Sequence, residues 1–429
     1  MEHVVSQPLR IKIDQIRSKR KSLISAWVLF LINPFCASII ALVNYRESFA
    51  KNIIWLFVAF YGFTMVISNE GMDANRYRDS FITLTSSKTS AKDFIDLLYQ
   101  EGGNYVDAAQ PLITFFVSRI ANDPRVLLAV FGLVFGYFYS RNIWYLLERA
   151  GPQIKRSNLI FIFVFSIIIG FWQINGFRMY SAAHVFFFGA IQYLMDNKKG
   201  GIAIAALSIF FHYSFILPTT LLLSFIIIPK KATWFYWIFV VSFFISEVNI
   251  PILTDTLTRI LPGVFHQKIV GYTSDVYIEA IANDLTTRNW RFSFYSQSIK
   301  LVSTFSLSLI YFFGLKFVKE NKVYNTVFCF ALLFLATVNL LSNIPSMSRF
   351  YSVAYLFTFT FLFLYLQHAP DFYFKKIILI LTFPLLLFYS LGMINVSLMT
   401  IGLVTLLGGP VFALWPYEAI DNAIIFFIK

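Results

Sequence analysis

The chain has 429 residues, 58% of them apolar and 13% charged, with a mean hydropathy of +0.68. Soluble domains carry about 25% charged residues, so an ordinary soluble enzyme is excluded, as are disordered and collagen-like chains. The net charge of +13 invites a nucleic-acid reading, but no stretch gathers it into a compact basic patch, so no nucleic-acid partner is expected.

A basic tail comes first, residues 1–22, with Arg10, Lys12, Arg17, Lys19, Arg20 and Lys21. Apolar blocks then lie near 23–43, 53–68, 125–147, 158–174, 179–195, 202–228, 232–249, 294–315, 324–341, 350–367, 375–391 and 398–415. A hydrocarbon core of ~30 Å takes about 17–25 residues to cross, and only 202–228 is clearly longer. Lys198 and Lys199 precede that block and Lys230 and Lys231 follow it, so it reads as a hairpin turning near Tyr213–Pro218. In the first block Asn33-Pro34 is a plausible break, which would make 23–43 re-entrant or a short hairpin. No small-x-small site follows the first block, so no cleavable signal peptide is expected. The fold class is therefore an all-α polytopic membrane protein of about 11–14 transmembrane helices, one membrane domain over 23–429.

Alternating the spans puts 22 of the 35 Lys+Arg and 9 of the 22 Asp+Glu on one side, leaving 13 of each sign on the other. The whole charge excess then lies on one face, which the positive-inside rule makes cytoplasmic. Two long polar segments fall on the opposite face, 69–124 and 250–292. In the first, Ser90 with Asp93 reads as a capping box, Phe94, Leu97 and Leu98 make an apolar face, and Gly102-Gly103 closes an interfacial helix. Asp123-Pro124 makes an N-cap and first turn for the next span. The second segment is broken by Pro251, Pro262 and Gly263, with a short helix expected at 274–282.

Dinucleotide, P-loop and zinc-protease signatures are absent, and Cys36 and Cys329 sit in apolar blocks, so neither a cofactor nor a metal site is expected. What remains is four polar clusters at the extracytoplasmic ends of spans, where charge needs a reason. The first is Asn69-Glu70-Gly71-Met72-Asp73-Ala74-Asn75-Arg76-Tyr77, where i, i+3, i+4 spacing aligns Asp73, Arg76 and Tyr77. The second is Asn175-Gly176-Phe177-Arg178, with Asn175 and Arg178 on one helical face and His184 deeper, on the face of Tyr180. Phe211-His212-Tyr213-Ser214 is the third, and Asn343 to Arg349 the fourth. Each also has an ordinary structural use: Asp73 as a cap, Arg178 and Arg349 among headgroups, His212 packed between aromatics, His184 in an inter-helix hydrogen bond. Together they offer cations and one carboxylate at comparable depth, which suits a lipid pyrophosphate.

Asn-Glu-Gly-Met-Asp-x-x-Arg-Tyr-x-x-x-Phe (69–81), Asn-Gly-Phe-Arg-x-x-x-Ala (175–182) and Phe-His-Tyr-Ser (211–214), in this order, resemble the EpsG-like bacterial polysaccharide polymerases, relatives of the O-antigen polymerase Wzy. The resemblance runs from the Asn-Pro of the first block to the last helices. It implies a GT-C-like core in the bacterial inner membrane and a glycosyltransferase site facing the periplasm. The substrates implied are oligosaccharide repeat units on undecaprenyl pyrophosphate, for O-antigen, capsule or exopolysaccharide. A chain-length regulator and a flippase would be partners beside the membrane lipids. In that reading Arg178 and Arg349 stabilise the leaving pyrophosphate, and Asp73 or His212 is the base. Arg76, Tyr77, Asn175, Tyr180 and Arg291 contact substrate, and Gly176 lets ligand approach the backbone. Tyr272, Tyr277 and Trp290 are candidates to stack on sugars or to line the interface. A lipid-linked oligosaccharide flippase and a glycan ligase are the competing readings. A flippase needs charge through both leaflets and related halves, and neither is visible here.

Overall fold

The computed structural model of the chain describes residues 23–67, 72–87, 90, 92–94, 107–245, 255–256, 258–259, 270, 290–342, 344, 346–370, 373–417 and 421–428, with only the backbone of 291–293. Its main helices are α1 (Leu23–Ile32), α2 (Pro34–Val43), α3 (Ala50–Thr64), α4 (Asp73–Ser86), α5 (Ala109–Ser118), α6 (Pro124–Arg149), α7 (Leu159–Ile168) and α8 (Phe177–Asp196). They continue with α9 (Gly200–Phe211), α10 (Ile216–Ile227), α11 (Ala232–Val241), α12 (Trp290–Leu309), α13 (Lys322–Leu341), α14 (Phe350–His368) and α15 (Tyr373–Ser397). Six helical stretches are long and apolar enough to cross a membrane, and seven shorter apolar helices accompany them among the described residues. Those residues contain no strand, only an isolated bridge between Gly402 and Ala423. The protein is an all-α, multi-pass membrane protein.

Three expected blocks turn out to be interrupted helices, and in each the freed backbone groups find partners, as lipid surroundings require. Asn33 breaks the first block: its side chain accepts from the Cys36 N–H at 2.8 Å and donates to the Leu406 carbonyl at 3.0 Å, with Pro34 opening α2. The 202–228 block breaks at His212, as its flanking charges predicted. Block 158–174 unwinds after Ile168, and a 3₁₀ turn over Phe171–Gly176 leads into α8. The freed Ile169 carbonyl meets His184 Nε2 at 3.1 Å, while the His184 Nδ1 lies 3.2 Å from the Asn142 amide. His184 is thus the satisfied inter-helix histidine expected from its position. It holds the broken span to α6.

α14 is the centre of the bundle, with 89% of its apolar window buried, against 33% for α15 at the rim. α3 and α6 touch backbone to backbone at Gly62 and Gly132, where an added Cβ would lie 2.2 Å from the Leu128 oxygen and 2.5 Å from the Val58 oxygen. Small residues drive such contacts in lipid, where apolar transfer offers helices no advantage over tails. Asp123 caps α6 through the Arg125 N–H at 2.8 Å, as the Asp-Pro pair predicted. The Ser90–Asp93 capping box also forms, with Asp93 N–H to Ser90 Oγ at 3.2 Å. Leu97, Leu98, Gly102, Gly103 and the 274–282 helix fall outside the described residues.

Candidate functional site

An aromatic ladder assembles the site. On α4, Tyr77 is buried and meets Phe131 of α6 edge to face at 5.5 Å. Phe131 stacks on Phe177 at 3.9 Å, and Phe177 meets Phe211 at 6.1 Å. These rings are anchors, and three of them, Tyr77, Phe177 and Phe211, have a polar neighbour in sequence or one turn away. Asp73 and Arg76 precede Tyr77 on α4, Arg178 follows Phe177, and His212 follows Phe211. Packing these four rings against one another therefore gathers three motifs spread over more than a hundred residues.

The joint between the first two motifs is a helix cap. Asn175 Oδ1 accepts the N–H of Ala74, in the first turn of α4, at 3.1 Å. The residue before α4, Met72, has no capping side chain, so an amide from the 3₁₀ turn does the work of an N-cap. This corrects one expectation. Asn175 does not share a helix with Arg178, and its amide oxygen caps α4. At Gly176 an added Cβ would lie 2.8 Å from the Tyr180 ring, so the glycine also makes room for Tyr180.

Asp107 is the residue that sequence reasoning missed. Its side chain is 5% exposed and precedes α5. Oδ1 accepts the Tyr213 N–H at 2.8 Å, and Oδ2 accepts from Arg178 Nη1 at 3.2 Å. His212 Nδ1 is 3.8 Å from Oδ1. A buried carboxylate thus ties the second motif to the third and fixes one arm of a guanidinium that is 34% exposed. Nothing in the local sequence marks Asp107 as different from a helix cap before Ala109–Ser118.

Arg178 has five N–H donors, so one bond to Asp107 leaves most of the fork available. The Tyr77 hydroxyl lies beside this guanidinium, buried and without a hydrogen bond of good geometry. Asp73 pairs with Arg76, which is 71% exposed. Charges of Asp73 and Arg349 both reach Tyr180 and His212, which places the fourth cluster at the same end of the bundle. Arg349 is exposed at the end of a 3₁₀ turn, Met347–Arg349, and the next residue, Phe350, is buried against Phe215 at 5.4 Å. Asn343, Pro345 and the side chain of Arg291 lie outside the described residues.

His212 sits in the turn between α9 and α10. Its Nδ1 is 3.4 Å from the Ser214 N–H, which can only donate, and 3.1 Å from Ser214 Oγ. With Nδ1 accepting, the neutral ring carries its proton on Nε2. Burial pushes the His212 pKa below the ordinary 6.5; Asp107 opposes this, while Arg178 and Arg349 add to it. The ring is neutral at neutral pH, and it presents a donor. Among the described residues no three His, Cys, Asp or Glu side chains come together as a metal site.

Fold and site define a class: a multi-pass membrane protein with a guanidinium-containing polar cluster at one end of its helices. The family is shown by comparison. The EpsG family model matches residues 52–405, most of the chain, and the chain belongs to that family, whose members are polysaccharide polymerases. No curated protein and no solved structure matches it.

Proposed function

We propose that this protein joins oligosaccharide repeat units carried on undecaprenyl pyrophosphate, at the periplasmic face of the inner membrane, without a metal. A glycan on its lipid pyrophosphate is the donor. A sugar hydroxyl of a second lipid-linked unit attacks the anomeric carbon, the bond from that carbon to the phosphate oxygen breaks, and the attacking hydroxyl gives its proton to a base. Charge develops on the departing pyrophosphate, and fixed guanidinium groups stabilise it most where water is scarce. Arg178 takes this role, oriented through Asp107, with Arg349 beside it.

Asp73 is the base. Its carboxylate sits in the first turn of α4, where Asn175 caps the Ala74 N–H, and pairs with Arg76. His212, with Nδ1 occupied by Ser214, donates from Nε2 to a sugar or phosphate oxygen rather than accepting the proton. The unsatisfied Tyr77 hydroxyl beside Arg178 is a second donor awaiting an oxygen. The observation that carries this reading is the Asp107–Arg178 pair beside the aromatic ladder, a buried acid holding a partly exposed cation. A strain lacking the gene tests it: one repeat unit on the final carrier supports a polymerase. Absence of all glycan would instead indicate a flippase or a ligase.

A further inference from the structure

A further cation lies at the same end of the bundle, with no part in the glycosyl transfer proposed above. Lys300 is on α12, within the membrane-crossing stretch Phe294–Glu320, and is half-buried. A charge at such a place needs a partner or a purpose. The only hydrogen bond its ammonium makes among the described residues is to the neutral Tyr351 hydroxyl, at 3.2 Å. It also lies over the rings of Tyr351 and Phe243, at 5.0 and 5.5 Å.

The bond to Tyr351 is the end of a relay with forced direction. Ser242 donates its proton to the Phe239 carbonyl at 2.6 Å, so its oxygen accepts from the Asn339 amide at 2.9 Å. The Asn339 carbonyl oxygen then accepts from Tyr351 at 2.7 Å, which leaves the phenol lone pair for Lys300. Three helices, α12, α13 and α14, and the residue that closes α11 contribute one side chain each, and Ser242 and Asn339 are buried. Such a network costs free energy unless complete, and here it is complete up to the ammonium. An ammonium has three donors, and the described residues use one of them.

The relay connects to the site already described. Tyr351 lies two residues past Arg349 and stacks on Tyr355 at 5.8 Å. Tyr355 is within electrostatic reach of Tyr389, Tyr389 of Tyr180, and Tyr180 of Arg349 and Asp73. Tyrosines within electrostatic reach of one another thus link the Arg178 cluster with Lys300. Transfer between two lipid-linked glycans brings two pyrophosphates to one protein, and like charges that close to each other need separate cations.

We propose that Lys300 is a second phosphate-binding site, which holds the pyrophosphate of the acceptor lipid while Arg178 holds that of the donor. The assignment of donor and acceptor rests on the polymerase reading, but the existence of the Lys300 site does not. Polyprenyl pyrophosphate and phosphatidylglycerol, each alone, are titrated onto the full-length protein in neutral-lipid nanodiscs and counted by native mass spectrometry. Wild type and Lys300→Arg should bind two equivalents of the pyrophosphate, and Lys300→Met and Arg178→Ala one each. Tyr351→Phe, which keeps the ring, should weaken one equivalent about tenfold through the lost lone pair. Two undiminished equivalents in Lys300→Met, or in Tyr351→Phe should the methionine variant fail to accumulate, would overturn the site. Loss of bound phosphatidylglycerol with unchanged pyrophosphate counts would overturn it as well, leaving a structural lipid contact. Two equivalents in Arg178→Ala but one in Lys300→Met would uphold Lys300 and remove Arg178 from the polymerase reading.

Discussion

Replacing Asp107 with asparagine separates positioning from folding. The side chain keeps its size and an oxygen for the Tyr213 N–H, now 2.8 Å away. What changes is the atom facing Arg178 Nη1 at 3.2 Å, where a carboxylate oxygen becomes an amide donor. A hydrogen bond to a charged group contributes about 1.5–3 kcal/mol. Arg178 is 34% exposed, and screening favours the lower half of that range. At roughly 1.4 kcal/mol per tenfold, elongation should slow about 10–40-fold. Protein in the membrane should stay near the wild-type level, because the buried N–H keeps its acceptor. Elongation by purified protein, with membrane abundance measured in parallel, gives both numbers. Combining Asp107→Asn with Arg178→Lys should cost less than the two single losses added together, since they act through one contact. A wild-type rate in Asp107→Asn, or strict additivity in the double variant, would refute the idea that Asp107 works through Arg178.

Arg178→Lys should itself lose ~2–4 kcal/mol of barrier lowering, as for a missing oxyanion donor, because lysine lacks the fork that grips two phosphate oxygens. A full-length glycan ladder from that strain would show an arginine that merely snorkels. Gly176→Ala should impair both abundance and activity, since its Cβ would lie 2.8 Å from the Tyr180 ring, and adding Tyr180→Ala should recover part of the abundance. The lowered His212 pKa gives a pH test with a definite sign. The unfolded imidazole takes up its proton first, near 6.5, so stability is full above that pH and falls as pH drops below it. Unfolding midpoints of wild type between pH 5 and 8 should show this decline, and His212→Gln should flatten it. Equal pH slopes in the two proteins would contradict a neutral buried histidine.

Hydropathy and charge were enough to read the class, because span length and basic flanks are local properties. The Asn33-Pro34 break, the turn at His212 and the Asp123 cap were legible for the same reason: each is a short-range rule. That the clusters share one end of the bundle was visible from polar residues at span ends, but how they meet was not. Asn175 caps a helix a hundred residues away, and Asp107 reads as any acid before a helix until tertiary packing buries it beside Arg178. Lys300 was hidden similarly, as one charge inside an apolar block whose relay draws on residues far apart in the chain. Aromatic packing decides these contacts, and Phe is so frequent here, 51 residues, that no single ring stands out in the sequence.

The central claim is that this protein makes glycosidic bonds between lipid-linked repeat units. Reconstitution of purified protein in liposomes with a defined polyprenyl-pyrophosphate oligosaccharide, and no other enzyme, measures that directly. Products longer by whole repeat units are expected, with one free polyprenyl pyrophosphate released per bond formed. Arg178→Ala should abolish both. Unchanged starting material with wild-type protein, or oligosaccharide moved across the bilayer without elongation, would contradict that claim.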